Sequence, residues 1–223
     1  MNSLQSWISS LPPDVFIGTS LILRQAGRFL FGIRSSKHIG DQQVLEVTGI
    51  GGALEPDDFS LTAGVLREAR EEIGVRVRLL QCEETLVVRG PEQIEQICFS
   101  SPERPTAIIF RGFRTPPHQP WHADHRGASC LVIFQAELEG NPFPAMELPY
   151  LIWLQAEHIL ALAEDDMPIG RLLQTGAELI TGPMGLPALD WLARMTDSQE
   201  ALALALGKKT EEFYSTFCTD SHT

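Results

Sequence analysis

An α/β fold, with a mixed β-sheet and helices on both of its faces, is predicted by three features of the 223-residue chain. Short runs rich in β-branched and apolar residues recur along it, most clearly at residues 106–113 and 130–138. One strongly acidic helical pattern, Arg67-Glu68-Ala69-Arg70-Glu71-Glu72-Ile73-Gly74-Val75, interrupts them after a glycine-containing loop. Apolar residues at helical spacing then take over beyond residue 155. Strands, an acidic helix, more strands and closing helices imply layers packed on a sheet.

The elements follow in order. Leu4, Trp7, Ile8 and Leu11 give residues 1–12 one apolar helical face, stopped by Pro12-Pro13. Residues 15–23 and 28–33 read as strands around a turn at Gln25-Ala26-Gly27, residues 34–42 as a polar loop, and residues 44–47 as a short strand. The stretch Gly51-Gly52-Ala53-Leu54-Glu55-Pro56-Asp57-Asp58 must turn sharply, and the helix after it ends at Gly74, the residue type suited to a left-handed C-terminal position. Strand character returns at residues 75–80 and 84–88, while 91–96 shows no clear pattern. Residues 114–127 are too rich in proline for regular structure. A strand at 150–154, a helix at 157–163 and further helices near 169–180 and 187–205 complete the chain before a polar tail. The expected organisation is a domain at 1–165 and a C-terminal helical extension at 166–223 packed on it.

Composition narrows the function classes. A hydrophobic content of 43% and a charged content of 21% describe an ordinary soluble protein. The net charge of −12 argues against binding a nucleic-acid backbone, which calls for a basic stripe. It suits a site that recruits a cation first and an anionic substrate through it, although surplus acid also serves solubility alone. Cys82, Cys98, Cys130 and Cys218 lie far apart and form neither a zinc pattern nor a disulfide framework. With no secretory pattern and no apolar run of about 18 residues, the expectation is a cytoplasmic protein without a membrane partner.

Chemistry concentrates on the acidic helix. Glu68, Glu71 and Glu72 share one face at spacings of three and four, while Thr62, Leu66, Ala69 and Ile73 form a separate stripe that can bury. Like charges so placed cost a few tenths of a kcal/mol per pair, roughly, unless something positive sits among them. Arg67 and Arg70 can supply that charge, leaving a solvated face with internal ion pairs. A hard divalent cation is the other solution, since it takes converging oxygen ligands.

The surroundings of the helix carry a family resemblance. Gly52, five residues, Asp58, eight residues and then Arg67-Glu68-Ala69-Arg70-Glu71-Glu72-Ile73-Gly74-Val75 resembles the box of the Nudix hydrolase family, nearly complete over residues 51–75. In that family the order is Gly, five residues, Glu, seven residues and Arg-Glu-U-x-Glu-Glu-x-Gly-U, with U aliphatic or small. Two departures, Asp58 in place of glutamate and one extra residue before Arg67, fall in the loop and helix entry.

The resemblance implies an α/β/α sandwich and a Mg²⁺-dependent pyrophosphohydrolase, with Mn²⁺ as a possible substitute. Glu68, Glu71 and Glu72 would be its metal-binding carboxylates, Glu71 and Glu72 essential for turnover, and Arg67 would orient them through a salt bridge. Glu55 would either fix the loop or ligate. Members of the family often add a carboxylate from outside the box, and Glu147, six residues before Trp153, matches that placement; a surface glutamate is the alternative. The substrate expected is a small nucleotide, a nucleoside diphosphate linked to another moiety, with Gly52, Arg34 and Trp121 as candidate contacts. The rival expectation is a Nudix-fold sensor or regulator that binds a nucleotide without cleaving it. His118, His122, Asp124 and His125 leave three readings open: a transition-metal site, a lid carrying Trp121 and Arg126, or an inert connection. The C-terminal segment is a candidate for a homodimer surface or a cover over the site.

Overall fold

Twelve strands pair into one mixed sheet in the computed structural model, which describes residues 3–13, 15–39, 41–90, 93–100, 104–111, 128–145, 147–183 and 185–196. After helix α1 (Leu4–Ile8) come β1 (Phe16–Gln25), β2 (Arg28–Ile39) and β3 (Gln42–Thr48), then helix α2 (Leu61–Ile73). Next are β4 (Val77–Leu79), β5 (Thr85–Gly90), β6 (Gln93–Ile97), β7 (Ala107–Arg111), β8 (Ser129–Leu138) and β9 (Tyr150–Leu154). Helix α3 (Ala156–Glu164), β10 (Met167–Pro168), helix α4 (Ile169–Gln174), β11 (Glu178–Thr181) and β12 (Leu192–Met195) close the described chain.

The main path of the sheet runs β10-β12-β3-β2-β1-β8-β7-β5-β6, with β9 joined to β2 and β11 and with β4 joined to β8. Its first hairpin turns on Ala26 and Gly27, at φ 49° and 77°, between the paired Gln25 and Arg28. Two consecutive positive φ values give the two-residue turn whose twist matches that of paired strands. β1 then leaves β2 and runs parallel to β8 over eight residues, Phe16 through Leu23.

Period-two alternation divides the core into two clusters, one on each face of the sheet. Leu21 and Leu23, Val87, and Ile108 and Phe110 join α1 and α2 on one face. Ile22, Leu86 and Val88, and Ala107 and Ile109 join α3 and α4 on the other. The result is the α/β/α sandwich that the sequence predicts. Among the described residues no helix is long and apolar enough to cross a membrane.

The inner stripe of α2 is half as predicted: Ala69 and Ile73 are buried, but Thr62 and Leu66 are only half-buried, and Leu61 and Val65 take the inner positions one residue earlier. Ser60 caps the helix by accepting the Ala63 N–H at 3.0 Å, and Gly74 ends it at φ 66°. Three expected elements are corrected. Residues 34–39 belong to β2, and Gln42 already begins β3, because a bulge between Arg34 and Lys37 lets this polar stretch keep pairing. The helix expected at 169–180 stops at Gln174; Gly176, at φ 107°, breaks it, and Glu178–Thr181 pair antiparallel with β9. Over the described residues 187–196 the helix expected at 187–205 gives way to β12, which pairs parallel with β3, so sheet pairing overrides the apolar spacing there. Residues 114–127 and 197–223 lie outside the described residues.

Since Ser60 satisfies one otherwise orphaned donor at the start of α2, Ser60→Ala should destabilise the fold by about 1 kcal/mol with unchanged m-value. Urea unfolding followed by circular dichroism measures both quantities. An unchanged midpoint would show that the cap contributes nothing to holding α2.

Candidate active site

The glycine loop is built against β1. Antiparallel bridges join Leu21 to Ile50 and Gly18 to Ala53, and the Thr19 N–H donates to the Gly52 carbonyl at 2.9 Å. Gly51 is required there for steric reasons, and a side chain at Gly52 would push the Glu68 carboxylate aside. At Gly51, φ is 148° and a Cβ would fall 2.1 Å from the Thr19 carbonyl oxygen; at Gly52 it would fall 2.4 Å from Oε1 of Glu68. Main chain and helix carboxylate therefore meet where any side chain would separate them.

Arg67, on α2, ties this loop to the helix. Its Nη2 donates to the Ala53 carbonyl at 3.1 Å and to Asp58 Oδ2 at 3.0 Å, and its Nε to Asp58 Oδ1 at 3.3 Å. Its Nη1 donates to Glu68 Oε1 at 3.0 Å and Glu71 Oε2 at 2.9 Å, with Glu55 Oε1 at 3.6 Å. The Arg67 hydrogen bond, together with the Glu55 N–H, holds the Asp58 carboxyl below its ordinary range, and Asp58 in turn raises the Arg67 guanidinium further. Asp58 was absent from the candidate site residues, yet it is a main partner of Arg67. The signal available is an acidic side chain just before the helix, six positions after Gly52.

Glu72 differs from its neighbours in burial. It is 3% exposed; its Oε2 accepts the Gly51 N–H at 2.7 Å and its Oε1 faces Nη2 of Arg34 at 3.7 Å. Burial pushes its carboxyl up to about 7, with the charges of Glu68 and Glu147 adding to the rise and the Gly51 N–H and Arg34 opposing it. Burial also raises Glu68, against the pull of Arg67. Arg34 reaches the site from β2, and its Nε is buried without a hydrogen-bond partner among the described residues.

These groups surround one cleft of about 240 Å³, lined by Arg34, Gly52, Ala53, Glu55 and Arg67 with Glu68, Glu71, Glu72 and Glu147. Most of the residues expected at the site are thus brought together, including Glu147, which comes from a segment far along the chain. Glu137, on β8, pairs with Arg78 on the neighbouring strand and stands apart from this cleft. Trp121, Arg126, His118, His122, Asp124 and His125 lie outside the described residues.

The donor chemistry fits a hard divalent cation: carboxylate oxygens predominate, and a backbone without side chain runs against Glu68. The side chains are not gathered as a finished metal site. Among the described residues no three acidic, histidine or cysteine side chains converge as such a group, and Arg67 holds Glu68 and Glu71.

No curated protein matches the chain. Solved structures similar to it include a possible asymmetric diadenosine tetraphosphate hydrolase from Jonesia denitrificans, at 16% identity, TM-score 0.45 and coverage of 89% of this chain and 95% of that one. A Nudix hydrolase from Nitrosomonas europaea follows at 15% identity and TM-score 0.43, covering 72% and 84%. A Nudix-family hydrolase from Clostridium perfringens has 13% identity and TM-score 0.43, covering 88% and 98%. Likenesses this distant carry no argument about activity. The NUDIX domain model, by contrast, matches residues 17–173, which span β1, the glycine loop, α2 and Glu147, and the chain accordingly belongs to the Nudix family.

Proposed function

We propose that the chain is a Mg²⁺-dependent pyrophosphohydrolase acting on a nucleoside diphosphate linked to another moiety, with Mn²⁺ able to substitute. One observation carries the proposal. Five carboxylates face the cleft against two guanidinium groups, and one of the five, Glu72, is almost wholly buried. Such a concentration of acid is costly unless a cation joins it, and a diphosphate is the kind of ligand that brings its own need for cations.

Glu68, Glu71 and Glu72 would hold the metal. When bound, it would polarise the phosphoryl oxygens and acidify a water molecule. Arg67 keeps Glu68 and Glu71 beside the loop through the bonds already described. A carboxylate oxygen of Glu147, on the cleft wall but outside the helix, would accept the proton of the attacking water. Arg34, with its unpartnered Nε, would offer N–H groups to a non-bridging phosphate oxygen. The bare main chain at Gly52 lets the substrate approach the carboxylates closely.

A sensor that binds without cleaving is motivated by Asp58 and the extra loop residue. Asp58 nevertheless reaches Arg67 with both carboxylate oxygens, so the departures leave the arginine held, and the hydrolase is the better-supported reading.

Replacing Glu71 or Glu72 by glutamine should lower turnover at least about 10²-fold while the fold remains intact. The assay is chromatographic detection of the nucleotide product, a nucleoside monophosphate or, from coenzyme A, adenosine 3′,5′-bisphosphate, from a panel of ADP-ribose, nucleotide sugars, coenzyme A and nucleoside triphosphates with Mg²⁺. Undiminished rates in both variants would rule out the mechanism, and tight binding without release across the panel would favour the sensor.

The buried carboxylate also predicts a pH dependence. The folded value of about 7 for Glu72 lies above its ordinary 4.5, so the folded state holds the proton more tightly. That stabilisation is complete below about 4.5 and is lost as pH rises through about 7. The melting temperature of metal-free protein should therefore fall between about pH 5 and 8, and Glu72→Gln should flatten the fall. At pH 8, millimolar Mg²⁺ should raise the melting temperature of the wild type more than that of Glu72→Gln. Equal shifts in both proteins would remove Glu72 from the metal site.

A further inference from the structure

Glu147 is itself exposed and lies on a segment without regular structure, so something must fix it beside Glu72. The segment is held at both ends, by contacts to two different elements. On the N-terminal side, the Phe143 N–H donates to the Ile73 carbonyl and the Ala145 N–H to the Glu72 carbonyl, each at 3.1 Å. These carbonyls belong to the last turn of α2, where no intrahelical partner exists for them. The Phe143 ring then covers Gly74 so closely that a Cβ there would fall 2.0 Å from its Cζ.

On the C-terminal side, the Leu148 N–H closes a turn onto the Ala145 carbonyl at 3.1 Å. Leu148 is 1% exposed and fills the space above Gly32 on β2, where a Cβ would fall 2.5 Å from its Cδ1. Gly32 lies two residues before Arg34 on the same strand. The segment thus bridges the end of the acidic helix and the strand that brings Arg34, with Glu147 between the two anchor points.

We propose that Phe143 and Leu148 are positioning residues that clip residues 143–148 to Gly74 and Gly32, and thereby set Glu147 over the helix carboxylates. The proposal rests on the hydrolase reading for the role of Glu147, and it gives the glycine at the end of α2 a purpose beyond its left-handed φ. Phe143 is 52% exposed, so shortening it removes little core packing and tests the clip itself.

The test is a double-mutant cycle with Phe143→Ala, Glu147→Gln and their combination, with Phe143→Leu as the conservative variant. Two quantities are read: kcat and KM on the best substrate of the panel, and Mn²⁺ affinity by calorimetry. Misplacing a reacting group by about 1 Å costs up to about 10²-fold in rate, so Phe143→Ala should lower kcat about tenfold with KM within about twofold, and Phe143→Leu should restore most of it. In the Glu147→Gln background the same change should have almost no further effect on either quantity, because Phe143 acts through Glu147. Losses that multiply in the double variant would overturn the proposal, as would failure of Phe143→Leu to recover activity. If Phe143→Ala does not fold, Gly32→Ala, which crowds Leu148 at the other end of the segment, takes its place in the cycle with the same criterion. A wild-type chain that binds Mn²⁺ without turnover refutes the hydrolase alone. The clip then stands if Phe143→Ala and Glu147→Gln each weaken Mn²⁺ binding through the lost carboxylate charge in the cleft and the double variant weakens it no further. It falls if Phe143→Ala leaves the affinity unchanged or the losses multiply. A chain that does neither overturns both.

Discussion

The guanidinium of Arg67 is the point on which the site depends. Its N–H groups reach the Ala53 carbonyl and Asp58 in the loop and Glu68 and Glu71 on its own helix. A guanidinium is suited to this because it is planar, carries five donors in fixed directions and stays charged. A lysine could offset the charge but could not join the loop backbone, the loop acid and two helix acids at once. Exposed ion pairs contribute little individually, yet here Arg67 is only 21% exposed and its partners belong to two elements whose relative placement defines the cleft. On the proposed reading the same bonds would oppose metal binding, since an ion on Glu68 and Glu71 would have to compete with Nη1. The arginine would then both assemble the carboxylates and limit how tightly they hold a cation.

Close backbone approach supplies what Arg67 does not. Gly51 and Gly52 press the loop against β1 and Glu68, Gly74 receives Phe143, and Gly32 receives Leu148. Each is a place where another segment occupies the volume a side chain would need. The cleft is consequently made by a sheet strand, a loop, a helix and the distant 143–148 segment meeting at their glycines, while the large apolar residues remain in the two layers that support them.

This division explains how much could be read from the sequence. The helix α2, its stop at Gly74 and the grouping of Glu68, Glu71 and Glu72 follow from spacing along one helix, a local property. Glu147 was reachable only through the family resemblance, because its neighbours in space are remote in the chain. The contacts of Asp58 with Arg67, and of Phe143 with Gly74, have no local periodicity to announce them. The polar strand at 34–39 resembles a loop in sequence because backbone pairing across a bulge leaves no apolar alternation. Residues 178–181 and 192–195 carry enough leucine and isoleucine for a helix, but β9 and β3 offer open sides for pairing, and tertiary context decides.

The charge balance of the cleft joins these observations. Arg67 is committed to the acids around it, so it has little capacity left for an anion arriving from outside. Arg34 differs: among the described residues its Nε has no hydrogen-bond partner, and its Nη2 stands 3.7 Å from Glu72, beyond a good hydrogen bond. While Glu72 is ionised and alone, it is the natural counter-charge for Arg34. On the proposed reading, a divalent ion taken up by Glu72 would weaken that attraction and free the Arg34 guanidinium for a phosphate oxygen. Metal and substrate would then bind with mutual reinforcement, because each relieves a charge that hinders the other. The buried Glu72 would thereby couple the two binding events, which an exposed carboxylate, screened by water, could do only weakly.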